Sequence, residues 1–243
     1  MIRMSEQHEE TVYDHLNELR KRILWSAVTI VLTIGFGLYA AKPIILYLQH
    51  AGPVDVGKLH VFSPWDGISI YMNVALAVAI LIGSPILLWQ LWLFVSPGLK
   101  LIERKAAVRY LPYVFILGLS GAAFAFYVVF PLAFRFSTTV IGSLDMEETF
   151  GVSEYFTFMF SLVIPMAILF QLPIVIMFLT RIGIVNPNML TKVRKIAYFL
   201  LYLVAAIVTP PDFVSDFIVA VPLILLYETS IWISKRTYRK LNR

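Results

Sequence analysis

Long stretches without a charged residue dominate this sequence. Four of them, at 23–41, 67–95, 110–134 and 155–180, contain no Asp, Glu, Lys or Arg. At a rise of about 1.5 Å per residue, roughly 20 helical residues cross the ~30 Å hydrocarbon core of a bilayer. Only 14% of the residues are charged, whereas soluble domains average about a quarter. The sequence therefore predicts an all-α integral membrane protein.

Two shorter apolar runs follow, at 196–211 and 217–227, with a bend at 209–212 between them. Runs of this length form either short spans or a re-entrant hairpin. In both cases the pair enters the membrane and returns. We predict a bundle of six helices, the last two short, at 23–234. A cytoplasmic amphipathic leader at 1–22 precedes it, and a basic cytoplasmic tail at 235–243 follows.

The distribution of Lys and Arg predicts the orientation. Of the 20 such residues, 17 lie in the leader, the second and fourth connections and the tail, and three lie on the opposite side: Lys42, Lys58 and Arg135. Short loops rich in Lys and Arg stay on the cytoplasmic side. Both termini are therefore predicted to be cytoplasmic, in a multi-pass protein of the cytoplasmic membrane. The same bias accounts for the net charge of +5 without a nucleic-acid partner.

Proline and small residues indicate how the spans bend and pack. Proline removes a backbone donor and clashes with the preceding turn, so kinks are predicted at Pro85, Pro131, Pro165, Pro173 and Pro222. Small residues in the third span suit close contact between helices: Gly118, Gly121, Ala122 and Ala125. Together these features favour a bent bundle over a straight cylinder.

A few polar side chains lie at membrane depth. Gln171, in the middle of the fourth span, needs hydrogen-bonding partners. It serves either as an interhelical contact or as a contact for a transmembrane ligand. Asp216 and Glu228, near the ends of the last span, are expected at the membrane interfaces, with their charges reaching water. Asn73 and Gln90 are expected to join helices.

Residue patterns for catalysis are missing. The sequence has no cysteine, no P-loop, no H-E-x-x-H pair and no arguable Ser/His/Asp set. We therefore expect a protein that is not an enzyme and that has no cofactor or metal.

Two glutamates lie close to bases in segments predicted to be cytoplasmic: Glu18 in the leader and Glu103 in the second connection. An apolar stripe at helical spacing, Val12, Leu16, Leu19 and Ile23, favours a leader helix on the membrane surface. Glu18 points away from this stripe, and its simplest role is an i,i+4 ion pair with Arg22. Glu103 is the only acid among the four bases of its connection, where its simplest role is a solvated counter-charge.

Several segments together resemble the TatC family, the core receptor of the twin-arginine protein translocase. They are HLNELRKR at 15–22, FVSP at 94–97, ERK at 103–105, FP at 130–131, FQLP at 170–173 and TPPD at 209–212. The resemblance extends in order over nearly the whole chain and includes the six-span layout with both ends inside.

The resemblance implies a subunit that recognises twin-arginine signal peptides and nucleates the complex that exports folded proteins. It assigns signal-peptide binding to Glu18, Arg20, Phe94, Glu103 and Arg104. It implies as partners TatA-type and TatB-type single-span subunits and further copies of this chain.

Polar contacts with those partners inside the membrane are expected at Gln171, Asp212 and Asp216. Some family members have a glutamate where this chain has Gln171, so this position offers no carboxyl group to relay protons. The alternative function is a secondary transporter of a small solute. Such proteins typically show paired repeats and a charged midplane site, neither of which is found in the sequence.

Overall fold

A computed structural model describes the backbone of residues 2–50, 53–54, 59–95, 111–144, 149–181, 183–209 and 213–241. Side chains are described for 16–49, 53–54, 59–94, 112–144, 149–181, 183–209 and 216–239. The helices are α1 (Ile2–His50), α2 (Asp66–Val95), α3 (Leu111–Phe124), α4 (Phe130–Ser143), α5 (Val152–Leu169), α6 (Leu172–Arg181), α7 (Pro187–Lys192), α8 (Arg194–Val208) and α9 (Phe213–Leu241). A π turn, Ala125–Val129, joins α3 to α4.

Five segments of the described chain are long and apolar enough to cross a bilayer: Leu16–Gln49, Asp66–Phe94, Pro112–Ser143, Val152–Arg181 and Asp216–Arg239. The chain itself buries only 11–39% of each hydrophobic window, so most of each surface faces outward. An outward-facing apolar surface is expected where lipid is the solvent. The predicted all-α membrane architecture is confirmed.

The last two helices differ in length. With 15 residues, about 22 Å, α8 is shorter than the hydrocarbon core, as predicted for the fifth span. The last helix is longer than predicted, because α9 has 29 residues and continues past Glu228. Glu228 does not end the helix because its carboxylate is paired, accepting hydrogen bonds from Arg194 and from the Tyr198 hydroxyl.

The leader and the first span form one continuous helix of 49 residues, α1. No proline or glycine lies between residues 2 and 34 to interrupt it. The basic tail likewise continues α9 as far as Leu241. The boundaries at residues 22 and 234 therefore do not coincide with helix ends, and they stay predictions about where the membrane begins and ends.

α1 and α2 pack side by side in opposite directions. Three contacts define the register: Arg22 with Gln90, Thr33 with Gly83, and Gly37 with Ala75. A Cβ atom on Gly37 would lie 2.9 Å from the Ala75 Cα atom. The two backbones approach this closely only because residue 37 has no side chain.

The third span changes helix type before Pro131. The Phe130 N–H bonds the carbonyl of Ala125, five residues back, and closes the π turn. Because Pro131 has no N–H, the helix cannot keep its regular ladder at this point, and the wider turn accommodates the ring. The predicted close packing of this span is confirmed at Gly121, where a Cβ atom would lie 2.7 Å from the Met166 carbonyl oxygen.

The fourth span is broken where the sequence reads FQLP. α5 ends at Leu169 and α6 begins at Leu172, so Phe170 and Gln171 form a turn between them. Pro173 explains the break because its ring excludes the regular hydrogen bond to residue 169. By contrast, α2, α5 and α9 continue past their internal prolines.

One connection is tied to the start of α5. His60 and Gly151 form a parallel β-bridge, with the His60 N–H donating to Phe150 O and the Val152 N–H donating to His60 O. The Asp66 carboxylate, in the first turn of α2, accepts the N–H groups of Phe62 at 2.9 Å and Ser63 at 3.0 Å and so ties the preceding connection to the start of this helix. These bonds hold the α1–α2 pair and α5 together at the end of the bundle opposite Glu18.

Candidate functional site

A polar cluster occupies the end of the α1–α2 pair. Arg22 donates from Nη2 to Glu18 Oε1 at 3.1 Å and from Nη1 to Gln90 Oε1 at 3.5 Å. The side chains are partly exposed, Glu18 by 30% and Arg22 by 22%. The i,i+4 pair offered as the simplest role of Glu18 is therefore present, and Gln90 joins the two helices as expected.

The antiparallel register brings Glu18 level with Phe94. Glu18 lies one turn before Arg22 on α1, and Phe94 lies one turn after Gln90 on α2. The two helices run in opposite directions. One turn toward the N-terminus of α1 and one turn toward the C-terminus of α2 therefore reach the same level along the pair. Phe94 is half-buried.

The other predicted members of this site divide into two groups. Arg20 lies on α1, two residues from Glu18, with its side chain exposed. Glu103 and Arg104 lie outside the described residues. The structure therefore places Glu18 and Phe94 at the same height of the α1–α2 pair, with Arg20 two residues from Glu18 on α1; their shared role in a binding site stays a prediction.

Gln171 lies in the turn between α5 and α6, where it is 3% exposed. Its Nε2 donates to Ser84 Oγ of α2 at 2.8 Å. A Cβ atom on Gly118 of α3 would lie 2.8 Å from the same nitrogen, so the amide is enclosed by two neighbouring helices as well as its own turn. The interhelical role predicted for Gln171 is present in this geometry.

Asp216 does not reach water, contrary to the expectation from the sequence. It is 8% exposed, and its Oδ1 lies 2.7 Å from the Thr209 hydroxyl. That hydroxyl also lies 2.8 Å from the Ala205 carbonyl oxygen of α8. The carboxylate is therefore buried and hydrogen-bonded where α8 ends and α9 begins, rather than reaching water. Asp212 lies outside the described residues.

A second ion pair was not predicted from the sequence. Arg194 Nη2 lies 2.7 Å from Glu228 Oε2, and the Tyr198 hydroxyl donates to the other carboxylate oxygen. Tyr227, next to Glu228, donates its hydroxyl to the Leu190 carbonyl at 2.8 Å. The spacing of the residues does not predict these contacts, because the partners are at least 30 residues apart in the chain. They dock α7 and α8 onto α9.

The family model described as Sec-independent protein translocase protein (TatC) matches residues 14–222. The chain belongs to the TatC family. A TatC protein of Halalkalibacterium halodurans is 44% identical over 98% of this chain and 94% of its own length. The TatCy protein of Bacillus subtilis is 43% identical over 96% of this chain and 92% of its own length.

Solved structures agree with this assignment. A crystal structure of the twin-arginine translocase receptor TatC aligns with a TM-score of 0.76 at 31% identity. It covers 92% of this chain and 99% of the crystallised chain. A second crystal structure of that receptor, in the detergent DDM, aligns with a TM-score of 0.77 at 32% identity. As a member of the TatC family, the chain is a multi-pass membrane component of the twin-arginine protein translocase.

Proposed function

We propose that this chain is the translocase subunit that binds twin-arginine signal peptides, at the end of the α1–α2 pair. The observation that carries the proposal is the position of Glu18. Its carboxylate lies partly exposed at the end of two packed spans, level with an aromatic side chain and already bonded to a guanidinium. The site therefore has the chemistry to accept an arginine from another chain.

Guanidinium and carboxylate groups match in shape as well as in charge. The planar fork of arginine donates two parallel hydrogen bonds, which the single ammonium of lysine does not reproduce. By resemblance to the family, Glu103 and Arg104 complete the site with Glu18, Arg20 and Phe94. Two carboxylates at one surface provide one acceptor for each arginine of the pair.

This function requires the site to face the cytoplasm, where signal peptides are made. The excess of Lys and Arg on the side of both termini supports that orientation. A short fifth span, α8, would then complete six crossings and return the chain to the outside before α9. The locally thinned bilayer that α8 requires is a known accommodation for short spans.

Partner subunits are part of the proposal because this chain is too small to conduct folded cargo. A folded 100-residue domain is more than about 25 Å across. The cavity between α1, α2, α3 and α5 has a volume of about 370 Å³ and an apolar lining. We propose that TatA-type and TatB-type single-span subunits and further copies of this chain complete the path. Gln171, Asp212 and Asp216 stay the proposed polar contacts for them inside the membrane. Because Gln171 and Asp216 are buried within this chain, such contact requires their bonds to Ser84 and Thr209 to open.

Titration of purified protein in detergent with a labelled signal peptide tests this function. The Arg-Arg peptide is expected to bind more tightly than the matched Lys-Lys peptide. Glu18→Ala is expected to weaken Arg-Arg binding without lowering the melting temperature by more than a few degrees, because an exposed ion pair contributes at most about 1 kcal/mol to stability. Equal affinities for the two peptides, or full affinity in both Glu18→Ala and Glu103→Ala, would place recognition elsewhere.

A further inference from the structure

The Glu18 carboxylate already holds an arginine of its own chain. We propose that Arg22 is a built-in placeholder, which occupies Glu18 in the free protein and is displaced by an incoming signal-peptide arginine. The inference rests on the proposed function, since it takes Glu18 as part of the peptide site. It assigns to Arg22 a role in setting the affinity of the site that is distinct from binding the peptide.

The geometry of the contact between Arg22 and Glu18 indicates a weak ion pair. Arg22 approaches Glu18 through one nitrogen and one oxygen only, Nη2 and Oε1, and its contact with Gln90 is 3.5 Å long. Its Nε is buried without a hydrogen-bond partner among the described residues. A guanidinium that binds a carboxylate well uses two parallel N–H groups. Arg22 thus leaves donors unused, and Glu18 Oε2 has no hydrogen-bond partner within the described chain.

A peptide arginine can displace Arg22 from Glu18 because the two arginines differ in how freely they can approach the carboxylate. Arg22 is attached to α1 four residues from Glu18, so its approach direction is set by the helix. A peptide arginine is not restricted in that way and can present its fork to both carboxylate oxygens. Gln90 stands beside Arg22 and can keep one of its N–H groups bonded after Glu18 is released.

The placeholder lowers the affinity for any peptide that must displace it. The cost of opening the Arg22–Glu18 pair belongs to the free protein, so it reduces the affinity for an arginine and for a lysine peptide by the same factor. Discrimination between the two peptides comes from Glu18, which gains less from the point charge of lysine than from the fork of arginine. Removing Arg22 is expected to strengthen the binding of both peptides and to leave their ratio unchanged.

The test compares Arg22→Gln with Lys21→Gln in the full-length protein in detergent. Both variants lose one positive charge, but Lys21 is exposed and has no bond to Glu18. Arg22→Gln is expected to bind the labelled Arg-Arg peptide about two- to fivefold more tightly than Lys21→Gln does, the range for a partly exposed ion pair. The ratio of Lys-Lys to Arg-Arg dissociation constants is expected to stay as in wild type, because both peptides displace the same pair. Arg22→Lys, a milder change, is expected to fall between wild type and Arg22→Gln.

The outcomes separate this inference from the proposed function. If Glu18→Ala weakens binding and Arg22→Gln and Arg22→Lys weaken it too, Arg22 orients Glu18 rather than competing for it, and the inference is wrong. Equal affinities in Arg22→Gln and Lys21→Gln also overturn it, because only net charge would then matter. If wild type does not distinguish the two peptides, the proposed function itself fails.

Discussion

The hydrogen bond from Gln171 to Ser84 offers a quantitative test of how the broken fourth span is held. Gln171→Met keeps an unbranched side chain of similar length beside Gly118, but removes the donor to Ser84 Oγ at 2.8 Å. Ser84→Ala removes the acceptor. Interhelical hydrogen bonds in membranes average about 0.6 kcal/mol and reach about 1.7. Since Gln171 is almost fully buried, we expect a coupling free energy in the upper half of that range, about 1–1.7 kcal/mol.

A double-mutant cycle on thermal unfolding in detergent measures this coupling. For a chain of this length, 1 kcal/mol corresponds to a melting-temperature shift of about 2–4 °C. The control cycle combines Asn73→Leu with Thr157→Val. The 3.3 Å hydrogen bond between Asn73 and Thr157 also joins two helices, α2 and α5, but it is exposed. Its coupling is expected to be smaller. A coupling near zero at Gln171–Ser84, or one no larger than in the control, would refute the argument that enclosure strengthens this bond.

Three further predictions concern packing, charge and topology. Gly37→Ala is expected to lower the melting temperature by several degrees, because the added Cβ atom would meet the α2 backbone. Gly35→Ala is the control, since the space around Gly35 is open, and its melting temperature should change little. Glu228→Gln is expected to cost less than about 1 kcal/mol, since its pair with Arg194 is more than a third exposed on both sides; a larger loss of stability would contradict this. The chain contains no cysteine, so single cysteines can be labelled selectively. Lys21→Cys should react only with reagents that enter the cytoplasm, and His60→Cys should react with membrane-impermeant reagents. The reverse labelling pattern would contradict the predicted orientation.

The long spans could be predicted from the sequence because an uncharged run is a local property. Which of the five predicted proline kinks interrupts its helix could not, because α2, α5 and α9 continue past their prolines. Uncharged runs of about 20 residues have no stable place except a membrane or a large core, and Pro131 and Pro173 remove donors wherever they occur. The interhelical role of Gln171 was also predictable, since an amide at membrane depth requires a partner. The identity of that partner was not, because Ser84 is 87 residues away along the chain.

The length of the last helix and the burial of Asp216 could not be predicted in this way. An isolated Glu228 marks the end of an apolar run, and an isolated Asp216 favours an interface. In the folded chain, Arg194 and Tyr198 donate hydrogen bonds to the Glu228 carboxylate. Thr209 is hydrogen-bonded to the Asp216 carboxylate. The cost of burying a charge depends on such partners, which only the packing of α8 against α9 provides.

The sequence by itself determined the class of this protein, its predicted orientation and its family, since hydropathy, charge bias and motifs are properties of the chain in order. The tertiary structure decided which polar groups meet. Glu18 has its pair with Arg22 from helical spacing alone, but its position level with Phe94 depends on the α1–α2 register. That register depends on backbone contact at Gly37, and a helix–helix register is set by the shape of both surfaces together.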